Sequence, residues 1–159
     1  MMDLDIARFL PPAGAGRARL CRPDAMDWIP GGPGKFSKPL RFFGGNAGFA
    51  ELMRLEPGTE VPLHRHSGAV HAFNLEGERR LCTGERIEAG QYVYEPPGNT
   101  DSWLAVGDRP LVVMVVVFGE VAYLDQNGRV RQRVDASTQW TAYRQYCRSM
   151  GIEPLDLVD

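Results

Sequence analysis

Glycine and proline interrupt this 159-residue chain so regularly that no long helix can be threaded through its centre. The 18 glycines and 12 prolines fall mainly between short apolar runs, and such punctuation predicts an all-β sandwich or barrel. Strands are expected at residues 39–43, 48–54, 61–66, 70–75, 79–82, 91–95, 102–106 and 110–118. A hairpin is expected at 122–125 and 129–134 around Asn127 and Gly128, a pair suited to the positive φ angles of a tight turn. Leu111–Phe118 is too short to span a bilayer and reads as a strand buried on both faces.

The two ends break this pattern. Residues 1–37 are rich in Pro and Gly with little periodicity, predicting an irregular arm with one short helix over 5–10. Toward the other end Trp140, Tyr143, Tyr146, Cys147 and Met150 recur at helical spacing. A helix is therefore expected over 137–151, capped by Ser137 or Thr138 and ended by Gly151, its aromatic stripe serving as core or interface. The whole chain reads as one domain, with the barrel at 38–134.

Composition excludes some partners. The net charge is −2, and Lys and Arg are scattered, with Arg129, Arg131 and Arg133 alternating as on the solvent face of a strand. Neither a nucleic-acid nor a membrane partner is expected. Asp3 and Asp5 occupy the place of a basic leader, and Pro11 and Pro12 cut short the apolar stretch, so no signal peptide is expected. Cys21, Cys82 and Cys147 are odd in number and far apart, which predicts reduced thiols and a cytoplasmic protein.

The chemistry is concentrated. The only three histidines, His64, His66 and His71, lie within eight positions. His64 and His66 are two apart on a predicted strand, so both imidazoles should face one side, which is taken as that of Val61 rather than that of Arg65. Two such rings can share one metal ion; a bare pair of this kind is also compatible with surface or hydrogen-bonding histidines.

The surrounding residues favour the first reading. Gly58, His64, His66 and Gly77 resemble the first cupin motif, G(X)5HXH(X)3–4E(X)6G. Gly90, Pro96, Gly98 and Asp101 resemble the second, G(X)5PXG(X)2H(X)3N. The resemblance implies an all-β double-stranded β-helix, the cupin (RmlC-like) jelly-roll barrel, with an N-terminal arm and a C-terminal helix. Asp27 to Pro30, Lys38 to Arg41, the block from His64 to Phe73, Tyr94 to Pro96, Tyr123 to Gly128 and Ala142 to Arg144 are similar to the 2,4′-dihydroxyacetophenone dioxygenase-like group. That similarity implies a homodimer with a mononuclear iron site that uses O2 to cleave a C–C bond beside a ketone.

The chain departs from the motifs twice. The motif-one glutamate falls at Val70, or at His71 if the spacing is one longer, and the downstream Gly77 favours Val70. The motif-two histidine is Asp101, either a carboxylate ligand completing two histidines and one carboxylate or a turn residue. The expected metal set is His64, His66 and Asp101, with His71 as a fourth ligand, a hydrogen-bond partner behind the ligands or a polar wall. Glu95 is a candidate base or a solvent-facing carboxylate. Phe73, Tyr94 and Trp103 are candidate pocket walls or ordinary core. The leading expectation is a dioxygenase acting on a small aromatic hydroxyketone or diketone, with Fe(II) bound and Zn, Ni or Mn as other occupants. The other reading is a non-enzymatic metal- or ligand-binding sensor or storage cupin, similar to the cupin domains of zinc-dependent anti-sigma factors, or one whose metal site has degenerated.

Overall fold

In a computed structural model, which describes residue 16 and residues 18–159, these residues form two six-stranded antiparallel sheets, one α-helix and two short 3-10 turns. In chain order the strands are β1 (Ile29–Pro30), β2 (Lys35–Phe43), β3 (Gly48–Leu55), β4 (Glu60–His66), β5 (Val70–Glu76), β6 (Glu78–Leu81), β7 (Arg86–Ile87), β8 (Tyr92–Glu95), β9 (Thr100–Val106), β10 (Leu111–Phe118), β11 (Val121–Leu124) and β12 (Val130–Val134). One sheet has the order β1-β2-β3-β10-β5-β8 and the other β12-β11-β4-β9-β6-β7. This is the jelly-roll expected from the motifs.

The core lies between the sheets, where Leu55, Val61, Val70, Ala72, Trp103, Ala105, Leu111, Val113 and Val117 are buried. Inward and outward residues alternate along β5, β9 and β10, as the pleat requires. Leu111–Phe118, expected to be buried on both faces, follows this rule instead: Leu111, Val113, Val115 and Val117 point inward while Met114 and Phe118 are exposed on the outer face.

The first motif glycine pair has a clear geometric role at its second member. Gly77 joins β5 to β6 at φ 68°, and a Cβ there would lie 2.5 Å from the Pro110 carbonyl oxygen. Only glycine meets both conditions without strain.

The sheet begins earlier than the sequence pattern suggests. β2 starts at Lys35 and β1 pairs with it from Ile29, so the last part of the expected arm belongs to the barrel. Its two-residue length kept β1 from view, and β7 was missed for the same reason. The helix expected over 5–10 lies outside the described residues.

Helix α1 (Ala136–Met150) begins after Asp135, not at Ser137 or Thr138. The Asp135 carboxylate accepts from the Thr138 backbone N–H, and the Thr138 hydroxyl faces the Asp135 N–H, forming a reciprocal cap. Gly151 ends the helix in a left-handed conformation, φ 67°. Tyr143 and Cys147 are buried, and Trp140 and Tyr143 pack on Phe42 of β2 with ring centroids 5.4 and 6.3 Å away. Met150, the last member of the stripe, is exposed. The cysteines are free thiols, and no helix among the described residues is long and apolar enough to cross a membrane.

Candidate functional site

His64 and His66 reach the interior because β4 carries a bulge. Val61 is opposite Trp103 of β9, but His64 is opposite Asp101, so Pro62 and Leu63 together face a single residue. The extra residue resets the alternation: Val61, His64 and His66 are buried while Leu63 and Arg65 are exposed. A uniform strand would have put Val61 on Arg65's side. Pro62, lacking an N–H, suits a position where the ladder is broken. The bulge also frees the Pro62 carbonyl, 2.7 Å from His64 Nδ1. That oxygen can only accept, so the His64 proton resides on Nδ1 and Nε2 keeps its lone pair.

The two imidazoles stand edge to face with centroids 4.8 Å apart. Both are held neutral. Burial lowers the His64 pKa, and burial together with the neighbouring His64 lowers His66 to about 4. His66 Nδ1 is buried with no hydrogen-bond partner. These are rings with available lone pairs in a low-dielectric setting.

Two carboxylates approach them. Glu95 is paired in register with Val70, so a carboxylate lies beside the motif-one position, on the adjacent strand and the same face. Its Oε2 lies 3.6 Å from His66 Nε2, too far for a hydrogen bond, while its Oε1 accepts from Asn99 at 2.9 Å. Burial raises the Glu95 pKa, and the nearby Arg79 draws it back down. Asp101 is opposite His64, where the second motif puts its ligand, but its Oδ1 is taken by the Cys82 thiol at 3.0 Å and by the Ser102 N–H at 2.8 Å. Among the described residues no three His, Cys, Asp or Glu side chains are grouped so as to hold a metal ion. The donor chemistry nevertheless suits one: two neutral imidazoles, one with its tautomer fixed by a carbonyl, beside a poorly partnered carboxylate.

These groups border a cavity of about 600 Å³ between the sheets, whose lining includes Val61, His64, His66, Arg79, Glu95 and Trp103. Trp103 belongs to the buried core and also borders the cavity. Three other candidates are elsewhere. His71, Phe73 and Tyr94 do not line the cavity. On β5 the inward residues are Val70, Ala72 and Asn74, so His71 and Phe73 point out. His71 Nδ1 is 2.6 Å from the Tyr92 hydroxyl on the outer face, beside Tyr94 and Phe118. It is not placed to join His64 and His66 at an ion. Phe73 and Tyr94 are 37% and 53% exposed, neither wall nor core, because their strand phase is set by Val70 and Glu95.

Two buried charged residues of the cavity wall escaped the sequence reading. Arg79, 2% exposed, extends from β6 into the cavity. A polar Asn74 at an inward position of β5 was its only sequence signal. Glu51 of β3 lines the far side, where Gln139 of α1 donates to it at 3.2 Å. Burial raises Glu51 to about 7, and burial plus the Glu51 charge raises Tyr123 to about 12.

Comparison with known proteins fits this architecture. A family model described as the ChrR cupin-like domain matches residues 17–122. Among solved structures, an RmlC-like cupin protein from Ralstonia eutropha superposes with a TM-score of 0.84 at 23% identity, over 90% of this chain and 95% of that one. An acetylacetone dioxygenase from Acinetobacter johnsonii gives 0.71 at 15% identity, over 82% and 93%. The Rhodobacter sphaeroides complex of SigE with the anti-sigma factor ChrR gives 0.53 at 23% identity, over 60% and 51%. No curated protein matches the chain significantly. At these identities the structural likeness is one of fold.

Proposed function

The chain belongs to the ChrR cupin-like domain family, and we propose that it binds a divalent metal ion through His64, His66 and one carboxylate, beside a small-molecule cavity. The observation that carries this reading is the buried, neutral histidine pair, with the His64 proton held on Nδ1 by Pro62 and His66 Nδ1 left without a partner. Glu95 is the better third donor, since it lines the cavity with His64 and His66 whereas Asp101 does not, and Asp101 Oδ1 already accepts from Cys82 and Ser102. Iron at such a site would supply Lewis acidity and one-electron chemistry with O2. The protein's own part is to fix the ligands and to exclude water with Val61, Val115, Val117 and Trp103. On this basis, and by likeness of fold to an acetylacetone dioxygenase, the reaction we propose is dioxygenolytic C–C cleavage of a small hydroxyketone or diketone.

A second reading is favoured by the engagement of Asp101: a cupin that binds a metal ion or small ligand without turnover, as a sensor or store. The exposed Phe73, Tyr92, Tyr94, Met114 and Phe118 on the outer sheet face support the expected homodimer.

Metal-free protein loaded anaerobically with Fe(II), and separately with Zn(II), tests these readings. One ion per chain is expected, lost in His64→Ala and His66→Ala, and weakened about tenfold or more in Glu95→Ala. If Asp101→Ala weakens binding and Glu95→Ala does not, Asp101 is the third donor. Oxygen uptake with acetylacetone or 2,4′-dihydroxyacetophenone is expected from the iron form. Bound iron without uptake across such substrates leaves the non-catalytic reading, and no bound ion refutes both metal readings.

A further inference from the structure

We propose that the cavity selects a small planar organic anion, a carboxylate, whose oxygens are received by the Arg79 guanidinium. The inference rests on the reading of this cavity as a small-molecule site, but not on the presence of a metal.

Arg79 lies on β6, the strand next to the sheet edge, between Ala105 of β9 and Ile87 of β7. It is held from behind. Its Nε donates to Asn74 Oδ1 at 3.2 Å, and the fully buried Asn74 is itself anchored by donating to the Ile87 carbonyl at 3.0 Å. The guanidinium carbon lies 4.8 Å from the centre of the Trp103 ring, so an aromatic surface supports the cation. What is missing is an acceptor. Arg79 Nη2 is buried without a hydrogen-bond partner, and none of the ion pairs within 4.0 Å among the described residues involves Arg79. Glu95 and Asp101 act on it only across a greater distance.

A buried cation with an unused donor is costly unless something pairs with it. Among the described residues, the two buried side-chain nitrogens without partners are His66 Nδ1 and Arg79 Nη2. Both residues line the same cavity. An arginine fork matches two coplanar oxygens carrying one charge. A multiply charged phosphate would meet a single guanidinium with Glu95 and Asp101 nearby, so a monoanion fits better. The apolar walls provided by Val61, Val115, Val117 and Trp103 suit a small hydrocarbon or aromatic body behind the carboxylate.

Calorimetric titration of the full-length protein, with and without EDTA, using benzoate and its neutral isostere benzamide tests this directly. Benzoate is expected to bind about tenfold or more tightly than benzamide in the EDTA-treated protein, as for a charge-assisted hydrogen bond to a buried cation. Arg79→Gln is expected to bring the two affinities within about twofold, and Arg79→Lys to keep part of the preference. Should Arg79→Gln fail to fold, the comparison of the two probes on the parent protein still decides. Equal affinities overturn the anion site while leaving a small-molecule cavity. A benzoate preference that survives in Arg79→Gln also overturns it, as does binding of neither probe by protein that takes up metal. A benzoate preference abolished in Arg79→Gln, in protein that takes up no metal, upholds the anion site and refutes the metal reading.

Discussion

Replacing Glu51 by Gln should stabilise this protein at alkaline pH and barely affect it in acid. Glu51 is a buried carboxyl whose partner is the neutral amide of Gln139, so burial of its charge has little direct compensation. Its pKa is raised from 4.5 to about 7 in the folded chain. Between those values the native protein retains a proton that the unfolded chain has released. The benefit of the neutral form is therefore complete below pH 4.5 and is lost as pH rises through 7. At 1.36 kcal/mol per tenfold, the buried charge costs about 3 kcal/mol at pH 8 but under about 1 kcal/mol at pH 5. Glutamine keeps the shape and cannot ionise. Urea unfolding of parent and Glu51→Gln followed by tryptophan fluorescence from pH 5 to 8 should give a stability difference that grows with pH in favour of the variant. A constant difference, or a parent more stable at pH 8, would refute the argument.

His66 should produce the opposite trend. Its pKa is lowered from 6.5 to about 4, so on acidification the unfolded chain takes up a proton before the native one does. Metal-free protein should lose about 2 kcal/mol from this group by pH 5, and His66→Asn should lack that loss; identical acid limbs in the two unfolding series would sink the assignment. Asp135→Ala removes the reciprocal helix cap and should cost about 1 kcal/mol in chemical denaturation. Gly77→Ala combines a positive φ with a Cβ against the Pro110 carbonyl, so a loss of about 1–3 kcal/mol is expected; an unchanged melting temperature would show that the β5–β6 turn relaxes.

The barrel was legible because its signals are repeated and local. Gly/Pro punctuation and two spaced motifs locate most of the long strands within a residue or two, and the aromatic stripe locates α1. Two-residue strands such as β1 and β7 have no period to detect. The histidine pair was equally legible, but its surroundings were not, because they depend on which residues meet across strands. Glu95 lies next to Val70 only through the pairing of β5 with β8. Arg79, beside Glu78 and Arg80, looks like part of a solvated charge run until sheet pairing buries it. Phe73 and Tyr94 point outward for a related reason, whereas His71 faces away from Val70 as the Gly77 spacing implies. An aromatic on a strand ordinarily suggests the interior, but here small Val70 and Ala72 face inward and the larger rings face out. Glu51 differs from these, since a lone acid between Ala50 and Leu52 is itself a local sign of burial.

The bulge at Pro62 and Leu63 makes the orientation of the centre tolerant of a change in gene length. Deleting either codon would leave Val61 opposite Trp103 and His64 opposite Asp101, now in an unbroken pleat, with Val61, His64 and His66 still facing inward. What the deletion would remove is the Pro62 carbonyl two residues before His64, and with it the acceptor that holds the His64 proton on Nδ1. A frame-preserving loss of one amino acid could thus keep every residue of the centre in place while releasing the tautomer of its first ring.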